Sequence, residues 1–383
     1  MRTGTSMDRR RALALLAAAP AIGMRRAFAQ GAAPYVVGAI LNLTGIDSGP
    51  GLSAAAALDA VDRHINAGGG IDRHPLEIRI LDDAGNPDRA LDDLKRFASE
   101  DEILAIIGAS GRATAQALEG AANEAKIPFL SLAPRTSGDE VLLPWVFRLA
   151  VPDPTRIGLL IDYAKRHALQ RLAVLFSDDD YGRSAANLAN TLAASAGLTI
   201  VDAEVLPPDG RDQPSVVRAE SKGPQGVLAF VSGQPALVAK AMAASAPGLP
   251  ALSDVPAATA EFLHAAGKEA NAWRVAAPKV AVWQLVAASD PLHTPIAGFV
   301  KLYARNDRPD AIAGTARDAL MMLVRAISAG ASDRAKIRAA LENGKPFVGV
   351  MGAYRMTPAN HGEVDGQGLL VIEGDGGRWK RAD

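Results

Sequence analysis

The sequence predicts an α/β protein built from two doubly wound parallel-sheet lobes. Three observations carry this. Short apolar runs recur that are continuous rather than alternating, the mark of strands covered on both faces. Each is followed by a stretch with apolar residues at helical spacing. The series pauses at Pro152 and begins again, and the two series hold more strands than one sheet comfortably takes.

Taken in order, the first run is Val36-Val37-Gly38-Ala39-Ile40-Leu41, and the loop 42–51 leads to a helix with Ala54, Ala57, Leu58, Val61 and Ile65 on one face. Gly68-Gly69-Gly70 supplies its C-cap and turn. A strand over 76–81 precedes Asn86-Pro87, a capping side chain followed by proline at the first helical position. Ala90, Leu91, Leu94, Phe97 and Ala98 form the buried stripe of that helix, and strands are predicted at 103–107, 129–130 and 145–149. The second series opens with a helix through Ile157, Leu160, Ile161 and Ala164, then a strand over 172–176. The loop Ser177-Asp178-Asp179-Asp180-Tyr181-Gly182 starts a long helix, followed by a strand at 199–205 and a turn at 207–210. A strand at 227–231, a helix at 235–245 and a short strand near Leu252 complete the series. Helices are predicted over 296–305, 314–329 and 334–342, and the tail at 351–356 and 369–372 reads as a late hairpin-like piece.

In parallel sheets of this kind ligands sit outside the carboxyl ends of the strands, so each loop after a strand is a candidate wall of one cleft. The stretch 103–136 concentrates the candidates. Its first turn runs Gly108-Ala109-Ser110-Gly111-Arg112, and its second loop runs Ser131-Leu132-Ala133-Pro134-Arg135-Thr136. Both lie near the start of one Ala-rich helix, where unpaired N–H groups and the dipole favour an anion. With Arg112 and Arg135 beside them, this corner is expected to grip the carboxylate of a small ligand.

Composition removes several classes. Among 383 residues, 41 basic side chains face 42 acidic ones, for a net charge of −1, which leaves no footprint for nucleic acid. There is no cysteine, so disulfides, thiol catalysis, zinc–thiolate sites and a lipidated cysteine are excluded. Gly49-Pro50-Gly51-Leu52-Ser53-Ala54 matches a dinucleotide fingerprint but starts about eight residues after its strand, too late to hold a pyrophosphate. The six histidines lack metal-ligand spacing, and Asp178, Asp179 and Asp180 read as an acidic helix start, so neither metal nor cofactor is expected. Ser110 lies in Gly-Ala-Ser-Gly rather than in a nucleophile elbow, and no catalytic residue is assigned.

The N-terminus predicts export. Asp8-Arg9-Arg10-Arg11-Ala12-Leu13 resembles a twin-arginine signal, an uncharged run covers 12–24, and Ala27-Phe28-Ala29 fits a signal-peptidase site despite Arg25 and Arg26 before it. Cleavage near Ala29 of a 1–29 leader would place the chain in the periplasm.

The joint order of motifs carries a resemblance. Thr44-Gly45, then INAGGG (65–70), LDDAGNP (81–87), IIG (106–108), IPFLS (127–131), VFRL (146–149), DDDYG (178–182) and MGAYRMTPANHGEVDGQ (351–367) span about 340 residues. In that order they resemble the leucine/isoleucine/valine-binding-protein family of solute-binding proteins for ABC importers. The resemblance implies a type I periplasmic binding fold, two lobes joined by three crossovers near 150–151, 277–278 and 348–349. Lobe 1 would comprise 30–150 and 278–348, and lobe 2 would comprise 151–277 and 349–383. It implies closure on a ligand in the cleft and presentation to a permease in the inner membrane, by a protein acting as a monomer.

Residue by residue the resemblance transfers unevenly. The family's first serine falls on Arg112, with Ser110 reached by a shift of two and Gly111 between them. Its second hydroxyl falls on Thr136 with one residue inserted, preceded by Arg135 and, at the start of that loop, Ala133. Tyr181 matches a ligand-facing tyrosine directly. A second tyrosine falls near Gly233, beside Ser232 and Gln234. The acid that pairs the ligand's ammonium falls on Val255, with Asp254 one position away. Arginine can clamp a carboxylate bidentately, so a carboxylate-bearing ligand is expected, whether an amino acid or an aliphatic or aromatic acid. The alternative is a sensor of the same fold that signals to a receptor or regulator.

Overall fold

The structure is a computed structural model that describes residues 32–45, 48–133, 142–206, 213–232, 235–303, 308–343, 345–362 and 364–382. The expected leader and its cleavage point, Arg135, Thr136 and the turn at 207–210 lie outside the described residues.

The first sheet is built from β1 (Tyr35–Leu41), α1 (Gly49–Ala67), β2 (Leu76–Asp82), α2 (Pro87–Ala98), β3 (Ile103–Gly108), α3 (Arg112–Glu124), β4 (Phe129–Ser131) and β5 (Val146–Arg148). Its order is β2-β1-β3-β4-β5, with every pair parallel. The covered-strand reading holds: all six residues of β3 are buried. Asn86 caps α2, its Oδ1 accepting from the Asp88 and Arg89 amides at 2.9 and 3.1 Å. Asn86→Ala is expected to lower the unfolding free energy by about 1 kcal/mol in urea titrations, with Asn86→Ser near neutral. An unchanged midpoint for the alanine variant would show the cap to be idle.

The second sheet begins after α4 (Asp153–Arg166) with β6 (Arg171–Ser177), α5 (Asp180–Ser195), β7 (Thr199–Leu206) and α6 (Gln213–Ser221). It continues through β8 (Gly226–Phe230), α7 (Pro235–Ser245), β9 (Ala251–Ser253), α8 (Ala260–Ala266) and β10 (Trp273–Pro278). Then α9 (His293–Leu302), α10 (Ala311–Ser328) and α11 (Arg334–Asn343) follow. The tail holds β11 (Phe347–Val348), β12 (Ala353–Tyr354), β13 (Leu369–Asp375) and β14 (Arg378–Arg381). The order is β14-β13-β10-β9-β8-β6-β7, parallel from β7 to β10 and antiparallel at β13 and β14.

Two readings are corrected. The tail forms two hairpins rather than one: β11 pairs with β12, while β13 turns into β14 and also adds to β10. Gly376 and Gly377, at φ +55° and +81°, supply the left-handed turn between β13 and β14 that side chains resist. Strand β10, an inner strand of the second sheet, was not anticipated. Its sequence WRVAAP is short, alanine-rich and ends in proline, so its burial comes from neighbouring strands rather than from its own pattern.

The chain passes three times between the two sheets. It leaves β5 for α4, which packs on α5 and β10; it leaves β10 for α9, which packs on α1; and it leaves α11 for β13. Helix α10 lies along α1, which places 311–328 with the first sheet. Register aligns the exits of both sheets. Gly108 pairs with Ile40 and Ser131, while Phe176 pairs with Phe230 and Ala229 with Ser253. The loops after β1, β3 and β4 therefore emerge side by side, as do those after β6, β8 and β9.

Candidate ligand-binding site

Strand β3 delivers the turn to Arg112. Beyond the buried Ala109, the Ser110 hydroxyl accepts from the Asn42 amide at 3.0 Å, which ties the turn to the end of β1. Gly111 is the N-cap of α3, and Arg112 is the first helical residue. The Arg112 side chain lies over the Tyr181 ring, with its guanidinium carbon 5.9 Å from the centroid. Its Nη2 reaches Asp153 at 3.4 and 3.5 Å. Its Nη1 is buried and has no hydrogen-bond partner among the described residues.

Asp153 opens α4 immediately after the first crossing, a position where the helix dipole favours a carboxylate. Arg156 is one turn further on, so both side chains share a helix face. Arg156 Nη2 donates to Asp153 and Nη1 donates to Asp254, the residue that follows β9. Tyr181, second residue of α5, donates its hydroxyl to the other Asp254 oxygen. Asp254 is fully buried, and Asp153 and Arg156 are 1% and 5% exposed, so one guanidinium and two carboxylates meet away from water, with the half-buried Arg112 at their edge.

The surroundings perturb these groups as burial dictates. Loss of water pushes the Asp254 carboxyl above its ordinary range, against the pull of Arg156 and of the Tyr181 hydroxyl. Burial, together with the Asp254 charge, raises the Tyr181 phenol well above its usual value. For Arg156, burial lowers the pKa, but Asp254 and Asp153 outweigh it and the net direction is up.

Arg112, Tyr181 and Asp254 of the expected site residues meet in one cluster. Among the described residues, the other expected ones make different contacts. Ser110 serves the β1 loop, and Gly111 caps α3. Ala133, 2% exposed, packs in the apolar core with Ile40, Ile106 and Phe129. Ser232 follows β8 and is exposed; its hydroxyl bonds Asp179, and the Ser177 hydroxyl is 3.2 Å away. Asp179 in turn caps α5 through the Gly182 amide at 2.7 Å. Burial pulls this carboxyl up, but the Gly182 and Tyr181 amides and the Ser232 and Ser177 hydroxyls hold it below the usual range. Asp178 pairs with Arg183, so the acidic run is divided between an ion pair and a cap. Sequence reasoning missed Asp153 and Arg156. The available signal was an Asp–Arg pair at i, i+3 directly after Pro152, which reads locally as a helix start.

Comparisons place the chain among known proteins. A family model described as periplasmic binding protein matches residues 34–376. An extracellular ligand-binding receptor from Rhodopseudomonas palustris HaA2 superposes with a TM-score of 0.80 at 24% identity, covering 92% of this chain and 100% of its own. A periplasmic binding protein type 1 from Bordetella pertussis Tohama I gives 0.76 at 21% identity, covering 91% of this chain and 99% of its own. An ABC transporter substrate-binding protein from Desulfitobacterium hafniense, in complex with Leu, gives 0.71 at 20% identity, over 91% of this chain and 100% of its own. No curated protein matches the sequence significantly. At these identities the solved structures establish the fold.

Proposed function

Because the chain belongs to the family of periplasmic binding proteins, we propose that it is the solute-binding component of an ABC importer. It traps a small carboxylate-bearing ligand, an amino acid or an aliphatic or aromatic acid, and presents it to an inner-membrane permease. The halves that close are 30–150 with 278–348 and 151–277 with 349–383, after removal of a 1–29 leader in the periplasm. Closure through three crossings can couple ligand contacts on both halves to one global change of shape.

The observation that carries the reading is the Arg112 guanidinium. Its Nη1, just past the carboxyl end of β3, is buried and has no partner among the described residues, while Asp153, Arg156 and Asp254 beside it are bonded to one another. A buried donor without an acceptor is costly, and a ligand carboxylate supplies two acceptors in the geometry a guanidinium fits. Arg135 and Thr136 belong to the adjacent loop and are proposed as further contacts, and Tyr181 as an aromatic wall.

The test is a thermal-shift screen against amino acids, aliphatic acids and aromatic acids, repeated on Arg112→Ala. A ligand that binds the folded state raises the melting temperature by mass action. The hit is expected to weaken on the order of 100-fold in the variant, the range for removing one partner of a desolvated charge pair. Full affinity in Arg112→Ala would end the clamp assignment.

A further inference from the structure

A surface cavity of about 270 Å³ opens between the end of α10, α11 and the β11–β12 hairpin, and it shares no lining residue with the Arg112 cluster. Small side chains leave the space. Ala326 and Ala329 line it from the α10 side and Ala340 from α11, where larger residues would close the gap. Met322 and Met356, both buried, add flexible thioether walls that adjust to the shape of an apolar guest.

The charge at this cavity has one sign. Arg325 and Lys345 line it and are exposed, and neither pairs with an acid among the described residues. Arg325 Nη1 donates to the Pro346 carbonyl at 3.2 Å, which ties the cation to the segment entering the hairpin. Glu342, the one acidic residue of α11, is bonded to Arg338 and His361 instead. The C-terminus of α10 contributes about half a negative charge, which two full positive charges outweigh. The cavity also touches the third crossing. Tyr354 lines it with its ring 6.0 Å from that of Phe347 across the hairpin, and its hydroxyl donates to Asp318 at 3.2 Å.

We infer that this cavity is a second binding site, separate from the inter-lobe cleft, for a small amphipathic anion. The volume suits a free carboxylate of roughly eight to ten heavy atoms, at ~30 Å³ for each water-sized group. Its chain lies against the methionines and alanines, and its carboxylate is met by Arg325 and Lys345. A neutral chain of the same length gains burial alone, and a cationic one is repelled. Once filled, the site props the β11–β12 hairpin against α10 and so holds Tyr354 on Asp318.

The test is a titration of the purified protein, labelled with ¹³C at its methionine methyl groups, with octanoate, octan-1-ol and octylammonium. The Met322 and Met356 signals are assigned from Met322→Leu and Met356→Leu. Octanoate is expected to shift both signals saturably, octanol to bind on the order of 10-fold more weakly, and octylammonium to leave them in place. Arg325→Gln combined with Lys345→Gln should weaken octanoate on the order of 10-fold and leave octanol unchanged, as two exposed ion pairs predict. Ala329→Phe, at an exposed position, should block octanoate by filling the gap. Because Arg112 is itself proposed to take a carboxylate, the octanoate titration is repeated on Arg112→Ala, where the two shifts should persist at the same affinity. The inference is overturned if octanoate moves neither signal, if octanol or octylammonium binds as tightly, or if the double glutamine variant binds octanoate normally. It is also overturned if the shifts vanish in Arg112→Ala, which would place octanoate at the clamp and leave that assignment standing. The wild-type titrations decide the matter even if a variant fails to fold.

Discussion

Replacing Arg156 with methionine is expected to cost about 3–5 kcal/mol of unfolding free energy, the range for removing one partner of a buried ion pair. The loss is large because one guanidinium serves two carboxylates. Asp153 is 1% exposed and Asp254 is fully buried, and both would lose their close cation in a place water does not reach. The methionine fills much of the arginine stem's volume, so the deficit is electrostatic rather than a cavity. Arg156→Lys should fall between, since a single ammonium carries the charge but lacks the planar fork that reaches both acids. Arg156→Met combined with Asp254→Leu should recover part of the loss, because an apolar replacement of a buried pair is often close to neutral. Urea unfolding of the wild type, Arg156→Met, Asp254→Leu and the double variant gives the coupling energy directly. A loss below about 1 kcal/mol in Arg156→Met would mean that water reaches these carboxylates in solution.

The same cluster marks what could be read from the chain. Elements whose burial is written in their own spacing were legible: the helix predicted over 235–245 is α7, at those same bounds, and Asn86-Pro87 begins α2 as capping chemistry requires. Strand β10 was not, since an alanine-rich six-residue segment owes its burial to β9 and β13 on either side. Of three site residues, Arg112 was named both from its place after β3 and from the family resemblance, and Tyr181 and Asp254 from that resemblance alone. Their partners were invisible for a physical reason. Arg156 and Asp254 are 98 positions apart and Arg112 and Asp153 are 41 apart, separations to which no local periodicity is sensitive. Charge pairing of that kind is a property of the sheet order, and Asp153 and Arg156 read alone as an ordinary helix start.

Asp318→Ala is expected to cost about 4 kcal/mol, from several buried donors left without an acceptor. Asp318 lies on α10, fully buried, and gathers the start of the third crossing. Its carboxylate accepts from the Val350 amide at 2.9 Å, the Met351 amide at 2.9 Å, the Tyr354 hydroxyl at 3.2 Å and Arg317 Nη1 at 2.7 Å. The backbone can approach this closely because residue 349 is glycine: a Cβ there would stand 2.1 Å from Asp318 Oδ2. Gly349→Ala should therefore reproduce much of the Asp318→Ala defect from the opposite side, by forcing the segment off the carboxylate. Combining the two should cost less than their sum, since each removes the same set of bonds. Asp318→Asn is the finer probe. Its amide keeps one acceptor but turns donors toward the Val350 and Met351 amides, so it should lose more than half of the alanine penalty despite its matched shape. If Asp318→Asn were as stable as the wild type, acceptor strength would not be what seats this segment on α10. Additive losses from Gly349→Ala and Asp318→Ala would mean that the two residues hold the crossing independently.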